Sequence, residues 1–354
     1  MKAVILCAGK GKRMRPLTYS FPKHLLPIAN KPVLFYGLES ISRCGIKEVG
    51  IVINDMESEI VKRVNKGEKF GVNIEYIIQS NPKGLAHAVW CARDFVGEDN
   101  FVVYLGDNFI REELKNFVDI FYKERANAVV LLTEVDDPTH FGVAVVSEGV
   151  VKQVLEKPKN PPSNLILVGV YIFDSNIFEA IEHIKPSYRG ELEITDAIQY
   201  LIDKGYKIVP YIIKGWWKDT GRPEDLLEAN RVVMEYSINR NIEGEIISSV
   251  VVGRVVIGKG SKIIRSKIRG PVVIGENSII ENSFIGPFTS IGDNVAVRNS
   301  EVEYSVIMEN TRVLDIEGRV EESVIGRHAY LKKEHRRPKV YKFILGDHTQ
   351  AVLI

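Results

Sequence analysis

The chain has 354 residues, 45% of them hydrophobic and 26% charged, which is the composition of a globular protein too long for one ordinary core and predicts two domains. Its formal net charge of +1 argues against a nucleic-acid binder, whose binding face shifts the whole balance towards Lys and Arg. Cys7, Cys44 and Cys91 are odd in number and widely spaced, which argues for reduced core thiols rather than a disulfide or zinc framework; with an apolar run after Lys2 too short for a signal-peptide core or a membrane span, the expected location is the cytoplasm.

The first 38 residues nevertheless hold seven Lys or Arg and no Asp or Glu. The apolar run Ala3-Val4-Ile5-Leu6-Cys7-Ala8 predicts a buried strand that ends in Ala8-Gly9-Lys10-Gly11-Lys12-Arg13. Such a strand end brings backbone N–H groups and the heads of Lys10, Lys12, Arg13, Arg15 and Lys23 to one sheet edge, which suits a polyphosphate. A dinucleotide fingerprint fails because position 14 is Met14, and a P-loop fails because Gly11-Lys12 is followed by Arg13.

Further strands are predicted at 48–53, 74–78, 101–105, 128–133, 169–173 and 208–213, and helices at 33–43, 58–65, 85–95, 114–123 and 194–204. This alternation predicts an α/β domain with a mostly parallel sheet and a ligand at the carboxyl ends of its strands. A last helix over 222–237 leads into a polar stretch at 239–245. Beyond it Ile257-Gly258, Ile274-Gly275, Ile291-Gly292 and Ile325-Gly326 recur at offsets of 17, 17 and 34 residues, subdivided by aliphatic residues every five or six positions. That period predicts a parallel β-helix of hexapeptide repeats. The expected domains are residues 1–238 and 246–354.

Several constellations carry chemistry. The strand at 101–105 delivers Asp107 and Asn108, and Asp219 follows the last strand, an oxygen-donor pair suited to Mg²⁺ beside substrate phosphates. Lys157, fixed between Glu156 and Pro158, suits a monophosphate, while Glu156 suits sugar hydroxyls. Arg189 precedes a helix rich in acids, which also complement the helix dipole. Gln79, in a turn stiffened by Pro82 and Gly84, offers a donor and an acceptor to the edge of a pyrimidine. His87 on the next helix reads as a packing residue.

The ordered string Gly9-x-Gly11-x-Arg13, Arg15-Pro16-Leu17-Thr18 and Pro22-Lys23-His24-Leu25-Leu26-Pro27 resembles the signature of the sugar-1-phosphate nucleotidyltransferases. Over essentially its full length the chain resembles the long-form glucose-1-phosphate thymidylyltransferases. The resemblance implies a Rossmann-like nucleotide-diphospho-sugar transferase domain followed by a left-handed parallel β-helix. It also implies Mg²⁺-dependent transfer of a nucleotidyl group from dTTP to glucose 1-phosphate, releasing pyrophosphate, in a homo-oligomer. By this resemblance Ala8, Gly9, Gly11, Lys12, Arg13 and Lys23 handle the nucleotide phosphates, Lys12 standing where the family has Thr, and Gln79 and Gly84 read thymine. Asp107 and Asp219 match the metal ligands. Asn108, Gly142, Glu156, Lys157, the backbone at Leu167 to Gly169, Tyr171 and Arg189 match the sugar-phosphate side, and Arg13, Lys23 and Lys157 the catalytic cations. A uridylyltransferase joining UTP to glucose 1-phosphate or N-acetylglucosamine 1-phosphate, with or without an acyl-transfer site on the β-helix, is the nearest rival. His328, His335 and His348 lie at or beyond the end of the repeat pattern, which speaks against that acyl-transfer site. A non-catalytic assembly subunit is the other rival, and the joint presence of Arg13, Lys23, Asp107, Lys157 and Asp219 argues against it.

Overall fold

The structure is a computed structural model that describes residues 1–56, 58–334 and 346–352; His335 lies outside the described residues. The chain divides into two compact units. The first comprises Met1–Lys10 and Leu34–Asp219, and the second comprises Gly11–Val33 together with the described residues from Thr220 onward.

In chain order the elements up to the repeats are β1 (Lys2–Leu6), the short strands β2 (Pro27–Ile28) and β3 (Lys31–Pro32), α1 (Val33–Arg43), β4 (Glu48–Ile53), α2 (Glu59–Val64) and β5 (Asn73–Ile78). There follow α3 (Leu85–Trp90), α4 (Arg93–Val96), β6 (Phe101–Leu105), β7 (Asn108–Ile110), α5 (Leu114–Lys123), β8 (Ala128–Glu134), β9 (Gly142–Ser147) and β10 (Val150–Glu156). The last are β11 (Leu165–Phe173), α6 (Asn176–His183), α7 (Ile194–Asp203), β12 (Ile208–Ile212), β13 (Trp217–Asp219) and α8 (Pro223–Ser237).

The first unit is built on a nine-stranded sheet. Strands β5, β4, β1 and β6 are mutually parallel, as are β12 and β8. The apolar runs of β1, β4, β6 and β8 are almost wholly buried, as the interior of a sheet covered on both faces requires, whereas β5 at the edge, Asn-Ile-Glu-Tyr-Ile-Ile, is not. The Rossmann-like α/β fold is thus present, with one feature the alternation did not announce: β11 runs antiparallel to β6, β8 and β9, so the sheet is mixed. No helix separates β10 from β11. Both β10 and β11 run antiparallel to β9, which lies between them in the sheet. Residues 150–155, not among the expected strands, form the second arm of the β9–β10 hairpin, turned at Glu148-Gly149, both at positive φ. The helix expected over 85–95 is two helices, α3 and α4, and α6 had no counterpart in the sequence reading.

In the second unit the 17-residue recurrence becomes spatial stacking, the left-handed parallel β-helix. Ile246, Ile263, Ile280, Val297, Val313 and Leu331 stand in register on one face, and Ile257, Ile274, Ile291, Ile307 and Ile325 on another. Among the described residues the three faces carry six, six and five strands around one aliphatic core. The 34-residue gap in the Ile-Gly pattern is two coils, the intervening one carrying Ile307-Met308. A column of serines reinforces one corner: Ser249, Ser266 and Ser283 each accept, at Oγ, the backbone N–H of the residue one coil on. Each bond satisfies a buried backbone donor.

Candidate active site

In the first unit three expected site segments follow the carboxyl ends of parallel strands: Ala8-Gly9 after β1, Gln79 after β5, and Asp107 after β6. The departure from β1 is pinned on both sides, since Cys7 N–H donates to the Val52 carbonyl at 2.8 Å and Gly106 N–H to the Leu6 carbonyl at 3.1 Å.

The Gln79 to Gly84 turn is held by a second chain segment. Leu192 N–H donates to the Lys83 carbonyl at 2.7 Å and Ala86 N–H to the Leu192 carbonyl at 3.0 Å. Gly84 sits at φ +110°, and a Cβ there would meet the Leu192 carbonyl oxygen at 2.5 Å, so only glycine admits this approach. Gln79 is buried, and its Nε2 donates to the Gly84 carbonyl at 3.4 Å and lies 2.8 Å from His87 Nδ1.

A short ladder relates the segments that carry Asp107 and Asp219. Strand β13 pairs antiparallel with β7, which sets Asp219 opposite Asn108, the residue that follows Asp107 in the chain. The Asn108 amide is oriented at both ends: Oδ1 accepts from Trp217 Nε1–H at 2.6 Å, and Nδ2 donates to Asp107 Oδ1 at 3.3 Å. Tyr104 O–H donates to the Asn108 carbonyl at 3.2 Å. Trp217 was not singled out in the sequence, because its role appears only once the ladder is known. The two carboxylates fit a hard divalent cation that takes one or two protein carboxylates and completes its shell with phosphate and water. Among the described residues no group of three or more His, Cys, Asp or Glu forms a closed metal cage.

A third cluster gathers the expected sugar-phosphate residues. The β9–β10 ladder sets Gly142 opposite Glu156, and a Cβ on Gly142 would meet Thr195 Cγ2 at 2.6 Å. Glu156 Oε2 accepts from Thr195 Oγ1 at 3.0 Å, while Oε1 lies 3.5 Å from Lys157 Nζ and 3.4 Å from Arg189. Lys157 has φ +43°, a conformation disfavoured for a residue with a Cβ and one that persists where its surroundings dictate it. The register of β11 shifts between Leu167 and Tyr171, and Gly169 lies inside that irregularity, where a Cβ would meet Asn108 Cγ at 2.8 Å. Tyr171 is buried, and burial reinforced by Glu156 pushes its hydroxyl pKa up.

Arg189 is engaged by carboxylates: it lies 3.4, 3.1 and 3.2 Å from Glu156, Glu191 and Glu193. Glu193, one of the acids read as helix-dipole partners, is buried and accepts from Ser187 Oγ at 2.8 Å. Burial raises its pKa, Glu156 and Glu191 push the same way, and the Ser187 bond and Arg189 oppose them. Asp196 is likewise raised, by burial and then by Glu156. An acid-rich, partly buried cluster held by one arginine suits hydroxyl groups, which donate hydrogen bonds to carboxylates.

Gly11, Lys12, Arg13 and Lys23 belong to the second unit. Gly11 is at φ +60°, its carbonyl accepts from Thr18 Oγ1 at 2.7 Å, and a Cβ on it would meet Lys23 Cβ at 3.2 Å. This signature loop is packed on the repeats. Asn30 Nδ2 donates to the Ile291 carbonyl at 2.6 Å, and the Arg327 guanidinium lies 4.0 Å from the Phe21 ring centroid.

Comparison with known proteins identifies the family. The nucleotidyl transferase family model matches residues 2–235. A glucose-1-phosphate thymidylyltransferase of Streptomyces antibioticus is 47% identical over 99% of both chains. A low-salt glycan biosynthesis nucleotidyltransferase of Haloferax volcanii is 50% identical over 66% of each. Among solved structures, a Bacillus anthracis protein assigned as a glucose-1-phosphate thymidylyltransferase superposes with a TM-score of 0.63 at 36% identity, covering 68% of this chain and 97% of that one. The matched family model spans the signature loop and both strand-end carboxylates, and the chain belongs to the nucleotidyl transferase family.

Proposed function

We propose that this chain transfers the thymidylyl group of dTTP to α-D-glucose 1-phosphate, giving dTDP-glucose and pyrophosphate. The observation that carries the reading is the β7–β13 ladder, which sets Asp219 opposite Asn108, the neighbour of Asp107, in a chain similar from end to end to a thymidylyltransferase. Residues 1–238 would carry the chemistry and 246–354 the β-helix.

The nucleophile needs no protein base. A phosphate monoester has a second pKa of about 6 and is largely dianionic at neutral pH, so its oxygen is ready to attack the α-phosphorus. The residues therefore align and neutralise. Lys157 holds the monoester phosphate, and Glu156 accepts hydrogen bonds from sugar hydroxyls with its second oxygen steadied by Thr195. Arg189 supports this cluster by fixing Glu156 and Glu193. Gln79 and the Gly84 backbone meet the base, while Ala8, Gly9, Gly11, Lys12, Arg13 and Lys23 hold the triphosphate, with Arg13 and Lys23 stabilising the departing pyrophosphate. Asp107 and Asp219 would hold Mg²⁺, which when bound supplies positive charge at the α-phosphate. Asn108 and Trp217 keep the Asp107 carboxylate aimed.

The test is a screen of dTTP, UTP and dCTP against glucose 1-phosphate and N-acetylglucosamine 1-phosphate in Mg²⁺ buffer, reading pyrophosphate and the nucleotide sugar. dTTP with glucose 1-phosphate is expected to give the highest kcat/KM. Preference for UTP would move the assignment to a uridylyltransferase, and no turnover with any pair would overturn it.

A further inference from the structure

Gln79 poses a problem of direction. A free amide presents either its oxygen or its nitrogen to a base, and a two-faced reader cannot separate a ring N–H donor from a ring nitrogen acceptor. Here the direction is fixed. Gln79 Nε2 faces the Gly84 carbonyl at 3.4 Å, a group that only accepts, and it also lies 2.8 Å from His87 Nδ1. Turning the amide over would set oxygen against the Gly84 carbonyl oxygen. Both contacts engage Nε2, so Oε1 is the atom left to meet a ligand.

The second contact works only if Nδ1 carries no proton. Burial followed by the nearby Lys83 charge lowers the imidazole pKa and favours the neutral ring, and the amide hydrogen that Gln79 Nε2 aims at Nδ1 selects the tautomer with its proton on Nε2; Cys91 Sγ, 3.9 Å from Nδ1, is compatible with it as a weak S–H donor. The ring is stacked on Trp90 at an interplanar angle of 15°, which steadies its orientation. His87 read in the sequence as packing; its geometry gives it a second task.

We propose that His87 is a specificity-determining positioning residue: its Nδ1 accepts from Gln79 Nε2 and holds Oε1 as a fixed acceptor, so that the site takes a pyrimidine whose N3 carries a hydrogen and rejects one whose N3 is an acceptor. Thymine and uracil satisfy this rule and cytosine does not. The inference rests on the reading of Gln79 as the residue that meets the base.

The test compares kcat/KM for dTTP and dCTP, with glucose 1-phosphate saturating, in the full-length protein and in Gln79→Ala, His87→Leu and His87→Asn. Leu fills volume without accepting a hydrogen bond, whereas the Asn side-chain oxygen can take the place of Nδ1. The dTTP/dCTP ratio is expected to fall about tenfold in His87→Leu, through KM with kcat within about twofold, and to recover by more than half in His87→Asn. An unchanged ratio in Gln79→Ala would remove Gln79 as the base reader. A ratio that falls in Gln79→Ala but is the same in His87→Leu and wild type, or the same in His87→Leu and His87→Asn, would overturn the role of His87 and leave that of Gln79 standing.

Discussion

Asn230, fully buried on α8, accepts at Oδ1 the backbone N–H of Ala29 at 2.8 Å, and so ties the signature loop to the helix that leads into the repeats. The same oxygen accepts from Ser290 Oγ at 3.0 Å, and Nδ2 donates to the Phe288 carbonyl at 2.9 Å. One side chain thus joins loop, helix and β-helix. It explains why Gly11–Val33 groups with the C-terminal half of the chain although it precedes most of the sheet in sequence.

Asn230→Leu is of similar size and keeps the volume filled but leaves the Ala29 N–H, the Ser290 hydroxyl and the Phe288 carbonyl without this partner. A buried polar group deprived of its bond costs about 1–3 kcal/mol, so stability should fall by at least roughly 2 kcal/mol. Because the loop carries Gly11, Arg13 and Lys23, the apparent KM for dTTP should rise more than that for glucose 1-phosphate. Thermal unfolding and initial-rate kinetics check both; equal effects on the two substrates would separate the loop from the nucleotide.

Asp107→Asn and Asp219→Asn should each remove most turnover while leaving the unfolding temperature close to that of the parent. The amide keeps the shape of the carboxylate but loses the charge a divalent cation needs, a large electrostatic loss at a phosphoryl-transfer centre. Activity as a function of Mg²⁺ concentration, with circular dichroism as the control, is the measurement. Near-parental rates at saturating Mg²⁺ in either variant would take that residue out of the metal site.

Much of this site was legible in the sequence because its signals are local. Gly-x-Gly-x-Arg, the strand that ends at Asp107, and Glu156-Lys157-Pro158 are contiguous strings whose chemistry follows from residue type and strand position. The 17-residue period was legible for the same reason, since one coil of the β-helix is one period. What escaped depends on register between distant segments. Gly142 faces Glu156 only because of the β9–β10 ladder, Trp217 orients Asn108 only because of β7–β13, and an asparagine inside a helix gives no hint that its partners lie at 29 and 288–290. The antiparallel entry of β11 was hidden likewise, because a buried strand shows the same apolar run in either direction.

Lys157→Ala should raise the apparent KM for glucose 1-phosphate, and Arg13→Ala that for dTTP. Charge-assisted hydrogen bonds to phosphate are worth about 1.5–3 kcal/mol, roughly ten- to a hundredfold in each case. Lys157 is one-third exposed on its side chain, which places its effect towards the lower end through solvent screening. Varying each substrate at saturation of the other gives the answer, and identical shifts for both substrates in both variants would contradict the division of roles.

Gly84→Ala should damage nucleotide binding out of proportion to its size. The new methyl would stand 2.5 Å from the Leu192 carbonyl oxygen and 2.6 Å from its nitrogen, both backbone atoms, at a φ of +110° that disfavours any side chain. The Gln79 to Gly84 turn must then move away from Leu192, at a cost of about 1–3 kcal/mol for the strained backbone alone. A tenfold or greater rise in the dTTP KM with a small change in the glucose 1-phosphate KM is expected; unaltered kinetics would show that this turn does not meet the nucleotide.

Discrimination between dTTP and UTP should be incomplete. The two share the N3–H and carbonyl edge that Gln79 Oε1 and the backbone near Gly84 would read, so the amide cannot tell them apart. What separates them is the 5-methyl of thymine, worth about 1–3 kcal/mol in an apolar pocket, and the 2′-hydroxyl of the ribose. The methyl alone therefore supports a preference of roughly ten- to two-hundredfold. Comparing dUTP with dTTP isolates the methyl, and comparing UTP with dUTP isolates the hydroxyl, all at fixed glucose 1-phosphate. If dUTP matched dTTP while UTP fell well below both, selectivity would reside at the sugar and the base pocket would contribute only the fixed acceptor of Gln79; if UTP exceeded dTTP, the thymidylyl assignment itself would give way.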